Sequence, residues 1–246
     1  MFQFFIEQGN ITDSTIEITN KNDVLHISKS LRLSAGSVLN LVVQNQYVYT
    51  VEIISINIDS ITTKVIEKNP VKNKLSFNLT LAQSVLKAAK QDVVIQKATE
   101  LGVKSIIPLT TKNTVVLFDS QKDKLNKIER WNRIANESSK QCKRADIPVI
   151  SDILTLKELL VSLANYDLVI CCTEKNAKSS MRACLQENTA ARDILVIIGP
   201  EGGWDASEIK LFEENNINLV SLGNLILRAE TAVITTLSNI IYEYEL

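Results

Sequence analysis

Histidine is almost missing from this chain: His26 is the only one in 246 residues. A Ser-His-Asp triad would have to use that single imidazole as its base. The four cysteines, Cys142, Cys171, Cys172 and Cys184, form no CxxC pair. With one histidine to help them, they argue against a zinc site and point to buried, reduced thiols in a cytoplasmic protein. Charge of either sign is not in excess, since the net value is −1. Any contact with phosphates must therefore come from a local patch. No apolar run reaches the length of a membrane span. The N-terminal MFQFFIEQGN has no basic leader, and its apolar stretch is shorter than a signal core. What is present is 45 % hydrophobic and 22 % charged residues, an ordinary globular mix with material for a sizeable core.

Two regions follow different rules. Residues 1–67 read as short strands rich in β-branched and aromatic residues: FQFFIE, STIEIT, SVLNLVV, QYVYTVEIIS and SITTKVIE. QNQ (44–46) and NID (57–59) are placed as turns, and NDVLHISKSLRL (22–33) as a helix closed by Gly36. So many strands in so few residues suggest a small barrel. EKNPVKNK (67–74), polar and carrying Pro70, reads as a linker. Beyond it strands alternate with helices. The strands are LSFNLTLAQ, VKSIIPLTT, VIS (149–151), DLVICC, DILVIIG and NLVSLG. The helices are DVVIQKATELG, a long one over 122–144, LKELLVSLA, AKSSMRACLQEN, DASEIKLFEEN and TAVITTLSNIIYEYE. That alternation predicts a mostly parallel sheet covered on both faces, an α/β fold.

Glycine is scarce too, with 7 in all, yet Gly199, Gly202 and Gly203 crowd into IGPEGGWDASEI (198–209). DILVI is a buried strand by composition, and Asp205 with Glu208 makes a capping-box pair opening the next helix. The glycines thus fall in the loop at the carboxyl end of a parallel strand, where open α/β sheets bind ligands. Taken alone, the loop also reads as a plain tight βα turn. GPEGG lacks the G-x-G-x-x-G spacing of a dinucleotide site, and no G-K-[ST] follows it. VSLGNLILRAETAVITT (220–236) repeats the arrangement with Gly223, an apolar loop, Arg228 and Glu230. ICCTEK (170–175) supplies a third strand end. Such loops on successive parallel strands can form one pocket.

With HISKSLRLSAG (26–36), VIQKATELGV (94–103), IERWNRIANESSKQCKR (128–144), IGPEGGWDASEI (198–209) and LGNLILRAET (222–231) in this order, the chain resembles the RsmE-type methyltransferases. These methylate N3 of a uridine in 16S ribosomal RNA using S-adenosylmethionine, and belong to the SPOUT class. The resemblance implies a PUA-like RNA-binding β-barrel over 1–70 and a SPOUT trefoil-knot domain over 74–246, paired as a homodimer. It implies that the knot loops hold S-adenosylmethionine, which by position points to Cys172, Thr173, Gly199, Pro200, Glu201, Gly202, Leu222, Gly223, Ile226, Leu227 and Thr231. Two departures stand out. Gln3 occupies a place where the family often has Arg, and Lys143 one where it usually has Gly.

Methyl transfer needs an aligned nucleophile and methyl group and a way to bear the charge of a deprotonated uracil. Arg228 is the first candidate for that charge; a salt bridge to Glu201 or Glu230 is its alternative. Glu201 and Glu230 are the accompanying carboxylates, one as an orienter of Arg228, the other as a first-turn acid. For RNA, the 122–144 helix carries Lys122, Lys124, Lys127, Arg130, Arg133, Lys140, Lys143 and Arg144 against Asp123, Glu129 and Glu137. Such a patch fits phosphate contacts, or else is a solvated face. Lys140, Gln141, Lys143 and Arg144 join His26, Arg32, Lys87 and Lys90 as RNA candidates. Trp131 and Trp204 read as core packing rather than base-stacking platforms. Two rival classes stay open: a non-catalytic RNA-binding protein, and a nucleotide-dependent oxidoreductase.

Overall fold

Contacts within the fold divide the chain into two compact units, Met1–Lys74 with Ser139–Ile147, and Leu75–Ser138 with Pro148–Leu246. The computed structural model describes residues 1–8, 11–12, 14–71 and 74–245.

The first unit is a five-stranded sheet, β1 (Gln3–Phe5), β3 (Val38–Val43), β4 (Tyr47–Ile56), β5 (Ile61–Pro70) and β2 (Thr15–Ile18) in that order. β3, β4 and β5 form an antiparallel meander, and β1 joins β3 in parallel. The meander turns where the polar clusters predict, with Asn45 at a φ of 62° between β3 and β4. Register shifts at Thr50/Val51 and Ile53/Ser55 bend the β4–β5 pair. Leu39, Leu41, Val51, Ile53, Ile16, Ile18 and Ile61 pack with Phe4, Val24 and Ile27 into one core. The predicted helix is α1 (Lys21–Leu25), capped by the Asn20 side chain, followed by a π-helical turn over His26–Ser30. The 67–74 linker is shorter than its composition suggests. Glu67–Pro70 extends β5, with Pro70 opposite Tyr47 at the strand's last position, where a missing N–H costs no ladder bond. Lys72 and Asn73 of that stretch, and Leu246 of the second predicted domain, lie outside the described residues.

The second unit centres on a parallel sheet ordered β11 (Ser179–Ser180), β13 (Asn218–Ser221), β10 (Leu168–Cys172), β12 (Asp193–Ile198), β6 (Asn78–Ser84), β7 (Ser105–Thr110), β8 (Val149–Ile150). A short β9 (Leu154–Thr155), which the sequence reading did not foresee, pairs with β7. β12 and β6 are buried almost end to end, as expected of strands covered on both faces. Leu195 and Ile197 of β12 share a core with Leu156 and Leu159 of α4 (Leu156–Val161) and Ile209 and Phe212 of α6 (Ala206–Glu214). The opposite face is taken by α7 (Ala229–Glu245), which packs on β12 and on α2 (Ala89–Glu100). α3 (Gln121–Cys142) is the long helix. α5 (Met181–Glu187) starts later than predicted, because Ser179 and Ser180 pair with β13 before Ser180 caps the helix. No helix among the described residues is long and apolar enough to cross a membrane.

Candidate active site

Side-by-side pairing of β13, β10 and β12 is what builds the site. All three run parallel, with Cys172 opposite Val220 and Cys171 opposite Ile197. Their carboxyl ends, Ser221, Cys172 and Ile198, therefore open onto one edge of the sheet. The three loops singled out in the sequence, 172–175, 199–205 and 222–228, leave from there. β6 lies next to β12, with Gln83 opposite Ile198, so its following loop at 85–88 joins the same edge.

Each glycine of the 199–205 loop has its own reason. A Cβ on Gly199 would come within 3.1 Å of the Trp204 indole. That indole stands edge-on to Phe212, with ring centroids 4.8 Å apart, and its Nε1–H donates to the Cys172 carbonyl at 2.9 Å. Trp204 thus staples the 199–205 loop to the end of β10. A Cβ on Gly202 would meet the Asn113 Cβ at 3.0 Å, and Asn113 donates to the Gly202 and Gly203 carbonyls. Gly203 has a φ of +68°. Asp205 caps α6, with Glu208 completing the box. Lys112 extends the clasp: its ammonium pairs with Asp205 at 2.9 Å, and its backbone N–H donates to Glu208. Hydrogen bonds from Ser207 first, and then Lys112, hold the Asp205 carboxyl well below its ordinary range. Lys112 and Asn113 were not picked out from the sequence. Their only signal is the polar TTKNT run at the end of β7.

The 222–228 loop is less tied down. Gly223 has a φ of +126°, which only glycine adopts readily, and open space where a Cβ would lie. Leu225 and Ile226 are exposed at 82 % and 78 %, an unusual display for adjacent apolar residues. Leu222 and Leu227 are half-buried, and Thr231 is exposed in the first turn of α7. The Arg228 side chain is exposed and makes no hydrogen bond or ion pair among the described residues. Glu230 presents a buried carboxylate oxygen, Oε2, with no partner. The salt bridge weighed for Arg228 is therefore not formed. Glu201 is engaged elsewhere, by Lys90 at 3.0 Å, so it does not orient Arg228. Burial pushes the Glu201 carboxyl up, but the bonds from Lys90 and the backbone outweigh it and hold the group below its usual value.

Cys172 offers only its backbone here. Its thiol is buried, lies 3.2 Å from the Thr236 hydroxyl, and is pushed by burial to about 12. Its neighbour Cys171 is raised well above the ordinary thiol value by the same burial. Thr173 is half-buried, with its hydroxyl donating to the Lys175 carbonyl at 2.5 Å. Pro200 is buried.

The RNA candidates divide. Lys87, Gln141, Lys143 and Arg32 are exposed. Lys140 is not a solvent-facing cation. It is paired with Asp23 at 2.8 Å, both side chains being 11 % exposed, and its ammonium lies over the Phe4 ring. Arg144 pairs with Asp146, and Arg130 with Asp92. The helix patch is thus smaller than its composition suggests, because three of its eight cations face carboxylates. Gln3, one of the two departures from the family pattern, is buried and donates to the Arg144 carbonyl at 2.5 Å. His26 is half-buried, with its ring edge-on to Phe4. Trp131 is 2 % exposed, core as read. Lys143 sits at a φ of 60°, and the Arg144 N–H returns to the Ser139 carbonyl at 3.0 Å. This is a Schellman ending, whose left-handed position favours Gly.

A parallel α/β sheet with three ligand-grade loops on one edge defines a class. The RNA methyltransferase domain family matches residues 73–241, so this is an RNA methyltransferase. The ribosomal RNA small subunit methyltransferase E of Bacillus subtilis is 31 % identical over 100 % of this chain and 98 % of its own. The chain belongs to the ribosomal RNA small subunit methyltransferase E family. Among solved structures, that enzyme from Neisseria gonorrhoeae, bound to S-adenosylmethionine, has the same fold. It superposes with a TM-score of 0.88 at 22 % identity, covering 99 % of this chain and 98 % of its own. Lpg2936 of Legionella pneumophila, solved with bound cofactor SAM, gives 0.88 at 26 % identity over 98 % and 97 %.

Proposed function

We propose that the chain transfers a methyl group from S-adenosylmethionine to N3 of a uridine in 16S ribosomal RNA. The observation that carries this reading is the meeting of three loops on one sheet edge in a chain of this family. The proposal includes a PUA-like barrel for the first unit and a SPOUT trefoil knot for the second. It also includes a cytoplasmic homodimer formed through the knot domain and acting on the small subunit or its RNA.

The residues fit the donor. Gly223, with open space where a Cβ would lie, and the loop at 199–203 offer bare backbone. Leu222, Ile226 and Leu227 offer an apolar wall. The unpartnered Glu230 oxygen suits a ligand that carries positive charge. S-adenosylmethionine supplies the activated methyl group when bound at these loops. The protein's part is to align N3 with that methyl group and to exclude water. Uridine N3 must lose its proton, and Arg228, a cation paired with no carboxylate among the described residues, is suited to stabilise the uracil anion. A guanidinium already paired to Glu201 would have had less to give. Cys172 and Thr173 contribute backbone, and Thr231 a hydroxyl at the start of α7. No observation favours a non-catalytic RNA-binding role.

The test uses small subunits from a strain lacking the enzyme, labelled S-adenosylmethionine and base mapping. Label at N3 of one uridine is expected; label on a ribose or on another base atom would overturn the proposal. Arg228→Ala is expected to lower kcat by about 10²–10³-fold, as loss of a charge-stabilising donor does, with cofactor Kd changed far less. Unchanged turnover would make Arg228 structural.

A further inference from the structure

Lys87–Lys90 form a turn between β6 and α2 with an unusual backbone. Ala88 has a φ of 47° and a ψ of −130°, a conformation that a residue with a Cβ seldom adopts. Such geometry persists only where surroundings hold it, and both sides of the turn are held. At its base, the Gln91 side chain, 2 % exposed, accepts the Leu86 N–H at 2.9 Å. Within it, the Lys90 N–H returns to the Lys87 carbonyl at 3.2 Å. At its tip, the Lys90 ammonium reaches across to Glu201 of the 199–205 loop at 3.0 Å. Because β6 and β12 are neighbours, this one ion pair joins their two loops at the sheet edge. Lys87 is left exposed at the start of the turn, with no side-chain partner among the described residues.

The Lys90 and Glu201 side chains are 42 % and 26 % exposed, so the pair adds little to folding stability. Its evident consequence is geometric. From this we infer that Glu201 is a positioning residue: through Lys90 it holds the strained turn that presents Lys87 to a phosphate of the RNA substrate, and it serves neither as the proton acceptor nor as a cofactor contact. The inference rests on the RNA methyltransferase reading, but it concerns which ligand Glu201 controls. The acid-side shift of the Glu201 carboxyl agrees, since a base must be able to take a proton.

The test is a double-mutant cycle on the full chain, reading RNA affinity directly on small subunits and cofactor affinity separately. Lys87→Ala is expected to weaken RNA binding about 10-fold and to reduce the slope of log K against log salt by about 1, as loss of one phosphate contact does. Glu201→Ala should weaken RNA binding about two- to fivefold, the most an exposed ion pair can contribute to holding the turn, with cofactor Kd within about twofold of the parent protein. Adding Glu201→Ala to Lys87→Ala should cost nothing further. The exchange of Lys90→Glu with Glu201→Lys should restore most of the affinity, and it keeps the test alive if Glu201→Ala folds poorly. A cofactor Kd that rises while RNA affinity holds would overturn the inference. So would strictly additive losses in the double variant, or a kcat–pH profile that loses its acidic limb in Glu201→Gln. Because RNA affinity is read without turnover, absent methyl transfer by the parent protein would sink the proposed function and leave this result standing.

Discussion

Gly199→Ala tests how the site is assembled. Gly199 does not have a positive φ, so alanine meets no backbone strain there, and the cost is steric. The new methyl would lie 3.1 Å from Trp204 Cε2 and 3.3 Å from Nε1, where ordinary contact begins several tenths of an ångström further out. The indole cannot simply retreat. Phe212, 0 % exposed, stands behind it at a centroid distance of 4.8 Å, and the bond to the Cys172 carbonyl fixes its edge. Overpacking of this kind costs about 1–3 kcal/mol. Loss of the indole bond adds about 1 kcal/mol if the ring tilts away. A total of about 2–4 kcal/mol corresponds to a fall in Tm of roughly 4–16 °C for a chain of this size. The chain has only two tryptophans, so a proton–nitrogen spectrum carries two indole signals. The Trp204 signal should shift and lose protection from exchange, while that of Trp131, in the core of α3, stays put. A variant with parental Tm and an unmoved Trp204 signal would refute the staple.

Three further outcomes are expected. Lys143→Gly should stabilise the protein by about 1 kcal/mol, the left-handed cost of a side chain less the extra freedom glycine has when unfolded; thermal melts check it, and a fall in Tm would show that the lysine side chain holds the segment. Under native conditions a disulfide reagent should titrate one fast thiol, Cys142, which is half-exposed; Cys171, Cys172 and Cys184 are buried, and burial pushes Cys172 to about 12 and Cys184 to about 11. Cys142→Ser should abolish the fast phase. For pH, the Asp205 carboxyl is depressed in the folded state from an unfolded value near 3.9. Its stabilising effect is complete above that value and is lost as pH falls through the lower folded one. Asp205→Asn keeps a cap oxygen but removes the titration, so the gap in Tm between pH 7 and pH 3 should narrow; an unchanged gap would show that Asp205 contributes nothing to acid sensitivity.

Short-range chemistry was legible from the residues alone. The buried apolar run DILVI marked β12, because a strand covered on both faces has few polar positions. Asp205 and Glu208 marked the start of α6, because a capping box spans only four residues. Gly223 and the 199–203 cluster marked strand-end loops, because backbone freedom is local too. The alternation of strands and helices then implied a parallel sheet. What decided the site lies in pairings far apart in sequence. β10 sits between β12 and β13 and β6 beside β12, and no periodicity encodes that order. Lys90 meets Glu201, 111 positions away, and Lys140 meets Asp23, 117 positions away. Counting charge along the 122–144 helix could not reveal that Arg130, Lys140 and Arg144 face carboxylates, nor that Ser139–Ile147 group with the first unit. Composition and period report what each segment can bury or cap. Which segments become neighbours, and so which charges neutralise and which remain for a ligand, is settled only when the sheet and its loops close in three dimensions.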